Sequence, residues 1–380
     1  MKPFFKTALF GTALLLFSTS VTRALDKDAF VASFEQYAAE NGLSNLQYEK
    51  IDMDGSTIIL RNAQVNYDFA GKLPLGDMVF NKVEETKDGG YAIGAWQIGR
   101  IETDLNASKL EIKNLSVNNM YLPAKDSGDS DRERAPYTTQ TVEQIRIYGT
   151  DQATFTFADI DTRLLNFKAN ELTEGEIKIG SFEFDPSPMP VARRQHFNDL
   201  GYDKITGTIT GLVNNNVKTG DITVSDFVIS ARDTGTLTLN MKLGGFTRAT
   251  IEKINNLEEN NNAALALMQQ LNFTNYSLRF EDHSLTNRVL DQAGKQQGLS
   301  REGVITGATQ AVTQIASNLG EAKIGKKLAP EISAFLKNPK SLQISFSLSQ
   351  PMPFLAIMMG AAASPADLLD QLNADIIANK

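Results

Sequence analysis

The stretch EIKIGSFEF, Glu176–Phe184, decides the fold of this 380-residue chain. Its apolar residues Ile177, Ile179, Phe182 and Phe184 spell h-x-h-x-x-h-x-h, where h is apolar. The spelling recurs at Ile58, Leu60, Ala63, Val65; at Leu73, Leu75, Met78, Phe80; at Leu110, Ile112, Leu115, Val117; and at Ile222, Val224, Phe227, Ile229. Trp96, Ile98, Ile101 and Thr103 form a weaker copy. A strand sends successive side chains to opposite faces, so the three-residue step flips the second pair unless a bulge or corner keeps both pairs together. The interrupting pairs are Arg61-Asn62, Gly76-Asp77, Gly99-Arg100, Lys113-Asn114, Gly180-Ser181 and Ser225-Asp226. They are polar or Gly-bearing, which suits the unusual dihedrals of a bulge. Taken as bulges, they predict a long, curved antiparallel sheet with one apolar face.

With 42% hydrophobic residues the chain can bury a substantial core in one or two domains. Its first residues read as a secretory signal. Lys2 and Lys6 form a basic start, Ala8–Phe17 a short apolar core, and Thr22-Arg23-Ala24 a small-residue cleavage site. Cleavage after Ala24 is the expectation, an uncleaved N-terminal anchor the alternative. Removal would take away Lys2, Lys6 and Arg23 and no acid, making a chain of net charge -8 more acidic still. An acidic chain lacks the electrostatic footprint of a nucleic-acid binder. It has no cysteine, which excludes thiol catalysis and cysteine-ligated zinc. The apolar run within Pro353–Ala363 is too short for a transmembrane span, so the expected address is the periplasm of a Gram-negative bacterium, without integral membrane insertion.

Four regions follow. Residues 1–24 are the signal peptide. Residues 25–44 hold an amphipathic helix over Asp26–Asn41, with Phe30, Val31, Phe34, Tyr37 and Ala38 at helical spacing; it is expected to pack on one end of the sheet, a membrane-surface role being the alternative that Glu35 and Glu40 on its polar face disfavour. Residues 45–246 are the β-repeat region, punctuated by turn signals such as Asp54-Gly55 and Asp88-Gly89-Gly90. Asp126–Pro136 reads as a solvated loop, and Pro186–Pro190 ends a strand. The following Arg193-Arg194-Gln195-His196 is a basic spot that could hold a phosphate or simply be surface loop. Residues 247–380 are mainly helical with added strands. Helices are expected over Ala249–Leu271 with a break near Asn260-Asn261-Asn262, over Thr286–Gln297 and Ser300–Leu319 joined by Gly298, over Leu328–Leu336, and from Ser364 onward. Strands are expected around Tyr276–Phe280 and Leu342–Leu348. The class is therefore α+β rather than alternating β-α-β.

Chemistry is sparsely signalled. Only His196 and His283 offer imidazoles, and there is no G-x-S-x-G elbow, phosphate loop or dinucleotide fingerprint. His283 beside Glu281-Asp282 lacks a second histidine at ligand spacing, so no metal or cofactor is assigned. Among the 45 acids nothing singles out a catalytic pair, and the protein is read as non-enzymatic.

The repeated I-x-I-G-S-F-x-F phrase, with Phe335-Leu336-Lys337-Asn338-Pro339-Lys340-Ser341-Leu342 before an alternating strand, resembles the AsmA-type and YdgA-like periplasmic β-repeat proteins of the Gram-negative envelope. That resemblance implies a β-groove, and its long anchored members are associated with phospholipid traffic. The expected site is an apolar groove formed by Ile112, Leu115, Val117, Ile177, Ile179, Phe182, Phe184, Val224, Phe227 and Ile229, binding or shielding a lipid-like ligand in envelope maintenance. The alternative is an envelope structural or interaction protein that docks a protein partner and holds no small molecule.

Overall fold

The computed structural model describes residues 25–40, 45–67, 71–105, 107–125, 136–168, 171–255, 261–319 and 323–380. The expected signal peptide, the Asn41-Gly42 helix stop and nearly all of the Asp126–Pro136 loop lie outside these residues.

Among the described residues the strands form one open, curved sheet of 14 in which every strand pairs antiparallel with its sequence neighbours. In chain order they are β1 (Lys50–Asp54), β2 (Thr57–Tyr67), β3 (Gly71–Glu85), β4 (Tyr91–Leu105), β5 (Ser108–Leu122), β6 (Thr139–Gly149), β7 (Thr154–Lys168), β8 (Leu172–Asp185), β9 (Ile205–Asn216), β10 (Asp221–Ala231), β11 (Gly235–Gly244), β12 (Asn272–Asp282), β13 (Ser341–Pro353) and β14 (Asp375–Ala378). The helices are α1 (Lys27–Glu40), α2 (Val191–Asp199), α3 (Arg248–Asn255), α4 (Asn261–Gln270), α5 (Leu285–Gln297), α6 (Arg301–Asn318), α7 (Lys323–Lys337), α8 (Phe354–Ala363) and α9 (Pro365–Gln371). The sheet runs unbroken across residue 246, where the composition changes, because β11 pairs with β12 from Gly235↔Asp282 to Gly244↔Asn272.

The three-residue steps keep their apolar pairs on one face. Ile58, Leu60, Ala63 and Val65 are 0%, 0%, 2% and 1% exposed, so all four point inward across Arg61-Asn62. One residue of many steps sits in the left-handed region: Asn62 at φ 50°, Gly76 at 69°, Asn114 at 48°, Asp159 at 53° and Asp226 at 46°. Asn, Asp and Gly reach that region most readily. In β4 and β8 the step is made without one.

Isolated bulges would shift the register at every strand. Across β4, β5, β6, β7 and most of β8 the register does not shift, because neighbouring strands make the step side by side. Ile98↔Leu115 and Arg100↔Lys113 bracket one such place, Leu115↔Val142 and Lys113↔Gln144 the next, and Val142↔Ile160 and Gln144↔Ala158 the next. At β2–β3 the register is perturbed only at Ala63↔Gly76 and then recovers, so those two steps also lie opposite one another. Lasting shifts appear at β8–β9, β9–β10 and β10–β11, where only one strand of each pair makes the step, and further shifts at β11–β12 and β12–β13. The aligned steps make a crease running across the strands. Two consecutive outward residues lengthen the outer path of each strand, so each bends toward the apolar face.

That face is continuous. Cross-strand partners share a face, and the pairings link Ile51, Leu60, Met78, Ile98, Leu115, Val142, Ile160, Ile179, Ile209, Ile229, Leu237, Phe280, Leu342 and Ala378 into one ladder from the first strand to the last.

Helices cover its two ends. α1 begins where Asp26 Oδ1 accepts from Asp28 N and Ala29 N, at 3.0 and 3.1 Å, satisfying first-turn donors. It presses Phe30, Val31, Phe34 and Ala38 onto β2–β5, as its spacing predicts. Phe30 and Phe34 meet Phe80 edge-on at 5.1 and 4.8 Å. At the other end α7 packs Ile324, Leu328 and Ile332 onto Leu342, Ile344, Phe346 and Ile376.

Three local expectations are corrected. The segment after Pro190 is the helix α2, not loop; it is short, with no buried residue, so its period carries little signal. α7 begins at Lys323, which puts Pro330 inside the helix rather than near its start. Phe354–Ala363, read only as an apolar run, is the helix α8. The Gly298 cap at φ 66° and the Ser364 cap stand as expected, and Ser300 caps α6. Of the expected break near Asn260-Asn261-Asn262, residue 260 lies outside the described residues, while Asn261 and Asn262 open α4.

Candidate ligand-binding face

Between the two helical ends the described residues leave the apolar face open. Ile58, Leu60, Met78 and Phe80, beneath α1, are at most 1% exposed. From β7 through β11 none of the large apolar side chains on this face is buried. They include Phe157, Ile160, Ile177, Ile179, Phe182, Phe184, Ile209, Val224, Phe227, Ile229, Leu237 and Leu239, all half-buried, and Phe155 and Val213, 42% and 40% exposed. The register places no charged side chain on the inner face between β6 and β11. The opposite face carries the ions, among them Arg146, Asp161, Arg163, Glu176, Lys178, Glu183 and Lys242.

The ten predicted groove residues divide accordingly. Ile177, Ile179, Phe182, Phe184, Val224, Phe227 and Ile229 share the open stretch. Val117 does not; it is 6% exposed within the core under α1, and Ile112 and Leu115 pack against that core. The reason is tertiary: α1 covers β5 and leaves β8 and β10 uncovered. Sequence reading missed Ile145, Phe155, Phe157 and Ile160, which line the open stretch on β6 and β7. Their spacing, Val142-x-x-Ile145-x-Ile147 and Phe155-x-Phe157-x-x-Ile160, carries the same signal.

The floor is shaped by β9, which runs through the open stretch with glycines on its inner face. Gly207 lies beneath the Phe182 ring and Gly211 beneath the Phe227 ring. Rings laid over strand glycines restore the packing that a missing side chain forfeits.

One lip is aromatic. Phe184 stands 5.0 Å from Phe155 across the β7–β8 pair and 5.0 Å from Phe197 of α2, which reaches over the inner face. α2 is tied to α5 by Gln292 Nε2 donating to Asp199 Oδ2 at 2.9 Å. Arg288 of α5 donates to the carbonyls of Leu200 and Gly201, both at 2.9 Å, and lies 4.5 Å over the Tyr202 ring.

A cleft of about 530 Å³ opens along the crease, where Thr141, Glu143, Asp159, Asp161, Arg163 and Lys178 surround it. Arg163 and Asp161 close a two-pronged ion pair there, at 3.0 and 3.1 Å, and the Asp161 hydrogen bond raises the Arg163 pKa. Val142 and Ile160 also reach this cleft, so its lining is mixed, with ions at its rim. His196 and His283 are both exposed, on separate elements, and among the described residues no group of three potential ligands could hold a metal ion. No helix among the described residues is long and apolar enough to cross a membrane.

Residues 228–379, fewer than half of the chain, match a family model described only as an uncharacterized protein. The match runs from the last open strands to the end covered by α7. No curated protein matches the chain.

Proposed function

We propose that this chain is a non-enzymatic periplasmic protein that holds a lipid-like apolar ligand along the inner face between β6 and β11. The observation that carries the reading is the contrast along one ladder. Leu60 and Met78 are sealed by α1, whereas Ile179, Ile209 and Ile229 lie uncovered. Contiguous apolar surface left only half-buried in this way supports a ligand groove or an interaction site.

Dimensions favour an acyl chain. From β6 to β11 are five inter-strand spacings of roughly 4.8 Å, about 24 Å in all. One leaflet's worth of acyl chain is about 15 Å, half of a ~30 Å hydrocarbon core. Each methylene withdrawn from water contributes about 0.8 kcal/mol, and the uncharged inner face demands no desolvation of ions in return. The two helical ends support a bounded compartment for a single ligand. The β-groove resemblance and the leader-like first residues support the envelope setting.

Native mass spectrometry of gently purified protein tests this reading. Bound lipid masses are expected, with loss of the adducts in an Ile179→Glu, Phe227→Glu variant that keeps its circular dichroism. Protein that carries no lipid and takes none up from mixed micelles would remove the proposal.

A second reading draws on α8, whose ten residues carry no charge and leave Met358 and Met359 48% and 64% exposed. That surface suits an envelope protein partner. Crosslinking that recovers one stoichiometric protein and no lipid favours it.

A further inference from the structure

We propose that α2 supplies a head-group site at the lip of the open face, so that the ligand is an anionic amphiphile: an acyl tail ending in a carboxylate or a phosphate. This rests on the groove reading above and narrows its ligand class.

The argument begins with helix geometry. Arg193 and Arg194 precede Phe197 by four and three residues, which puts both on the helix face that Phe197 occupies. That face is fixed by contact, because the Phe197 ring stands 5.0 Å from Phe184 on the inner face of β8. Two guanidinium groups therefore flank the point where the apolar floor meets solvent. Arg194 is steadied there by Nη1 donating to the Ser187 carbonyl at 3.0 Å, and Arg193 is exposed.

Nearby acids are engaged elsewhere. Asp199 accepts from Gln195 at 2.7 Å and from Gln292 of α5 at 2.9 Å, on the side of the helix away from Phe184. Glu183 and Asp185 share Lys204, at 2.8 and 3.1 Å. In a chain of net charge -8 the cations at this lip stand against the prevailing sign, directly beside a face with none. A neutral lipid would make no use of them. An anionic head would place its oxygens against Arg193 and Arg194 while its tail ran over Phe184 and Phe155 toward Phe182 and Ile179. Guanidinium groups match carboxylate and phosphate oxygens through paired N–H donors.

The test compares hexadecanoate, hexadecyl phosphate and hexadecanol binding to the full chain by equilibrium titration, in the native protein, in Arg193→Gln, Arg194→Gln and in Arg193→Lys, Arg194→Lys. Both anions are expected to bind more tightly than the alcohol. The glutamine variant should weaken them roughly tenfold, the scale of two partly exposed charge-assisted contacts. It should leave hexadecanol unchanged, and the lysine variant should restore part of the loss. If the glutamine variant weakens all three ligands equally, α2 acts by packing and the head-group site is overturned. Native protein that binds hexadecanol as tightly as the anions overturns it too, while the groove survives. Failure of all three to bind overturns the groove itself. Inorganic phosphate that displaces hexadecyl phosphate but not hexadecanoate would show an anion site separate from the tail, which also sinks the proposal.

Discussion

The ring of Phe227 lies against Gly211 on the neighbouring strand so closely that a Cβ added to the glycine would stand 2.7 Å from the ring's Cδ2. Phe182 and Gly207 repeat the arrangement, with an added Cβ 2.6 Å from Cε1. Each glycine is thus the seat of an aromatic side chain that forms the floor of the open face.

Gly211→Ala is therefore expected to destabilise by about 1–3 kcal/mol, the range for overpacking a filled site. Gly207→Ala should cost more, because its added Cβ also meets the Ser230 carbonyl oxygen. Urea midpoints measure both. A Gly211→Ala protein as stable as the native one would mean that the Phe227 ring has room to leave.

Covering should decide the effect of deleting apolar side chains. Ile58 is fully buried beneath α1, so Ile58→Ala is expected to lose about 2–5 kcal/mol. Ile229 closes its own repeat on the same face but is only half-buried, so Ile229→Ala should lose less, under about 2 kcal/mol. Equal losses in denaturant unfolding would contradict the open face.

The crease depends on residues that tolerate positive φ. Asn114, at φ 48°, is expected to accept glycine with little change in stability, whereas valine, strained in that conformation, should destabilise by about 1–3 kcal/mol. Thermal unfolding of Asn114→Gly and Asn114→Val checks the ordering, and a stable valine variant would refute the left-handed step.

Beside the crease at its N-terminal end, Arg61 donates to Asp52 at 2.7 Å and to Asp77 at 2.6 Å. The Arg61 hydrogen bond holds both carboxyls below their usual range, helped by Lys50 at Asp52 and by the Asn62 amide at Asp77. A depressed folded-state pKa means that the unfolded chain binds protons first as pH falls. The stabilisation is complete above about pH 5 and disappears as pH drops through the folded values. Carboxyl-carbon NMR titration should show Asp77 moving up toward the ordinary aspartate range in Arg61→Gln. An unmoved midpoint would rule out this coupling.

Much of the sheet was legible because period two and its three-residue interruptions are local. Asn62, Asn114 and Asp226 occupy the second place of their interrupting pairs, where a polar residue able to turn left-handed is required. α1 was legible for the same reason, since Phe30, Phe34 and Ala38 recur on one helical face. Elements with little periodic signal were not. α2 buries nothing, β14 has only four residues, and Pro330 masked the first turns of α7.

The amino-acid sequence by itself determined which side chains share a face and where each strand bends, because both depend on residues a few positions apart. Only the tertiary structure decided that the bends fall side by side into one crease, and which repeats are sealed. Ile58-Leu60-Ala63-Val65 and Ile222-Val224-Phe227-Ile229 share one spelling, yet the first lies under α1 and the second lies open. Burial depends on what packs from elsewhere in the chain, and no local period encodes that.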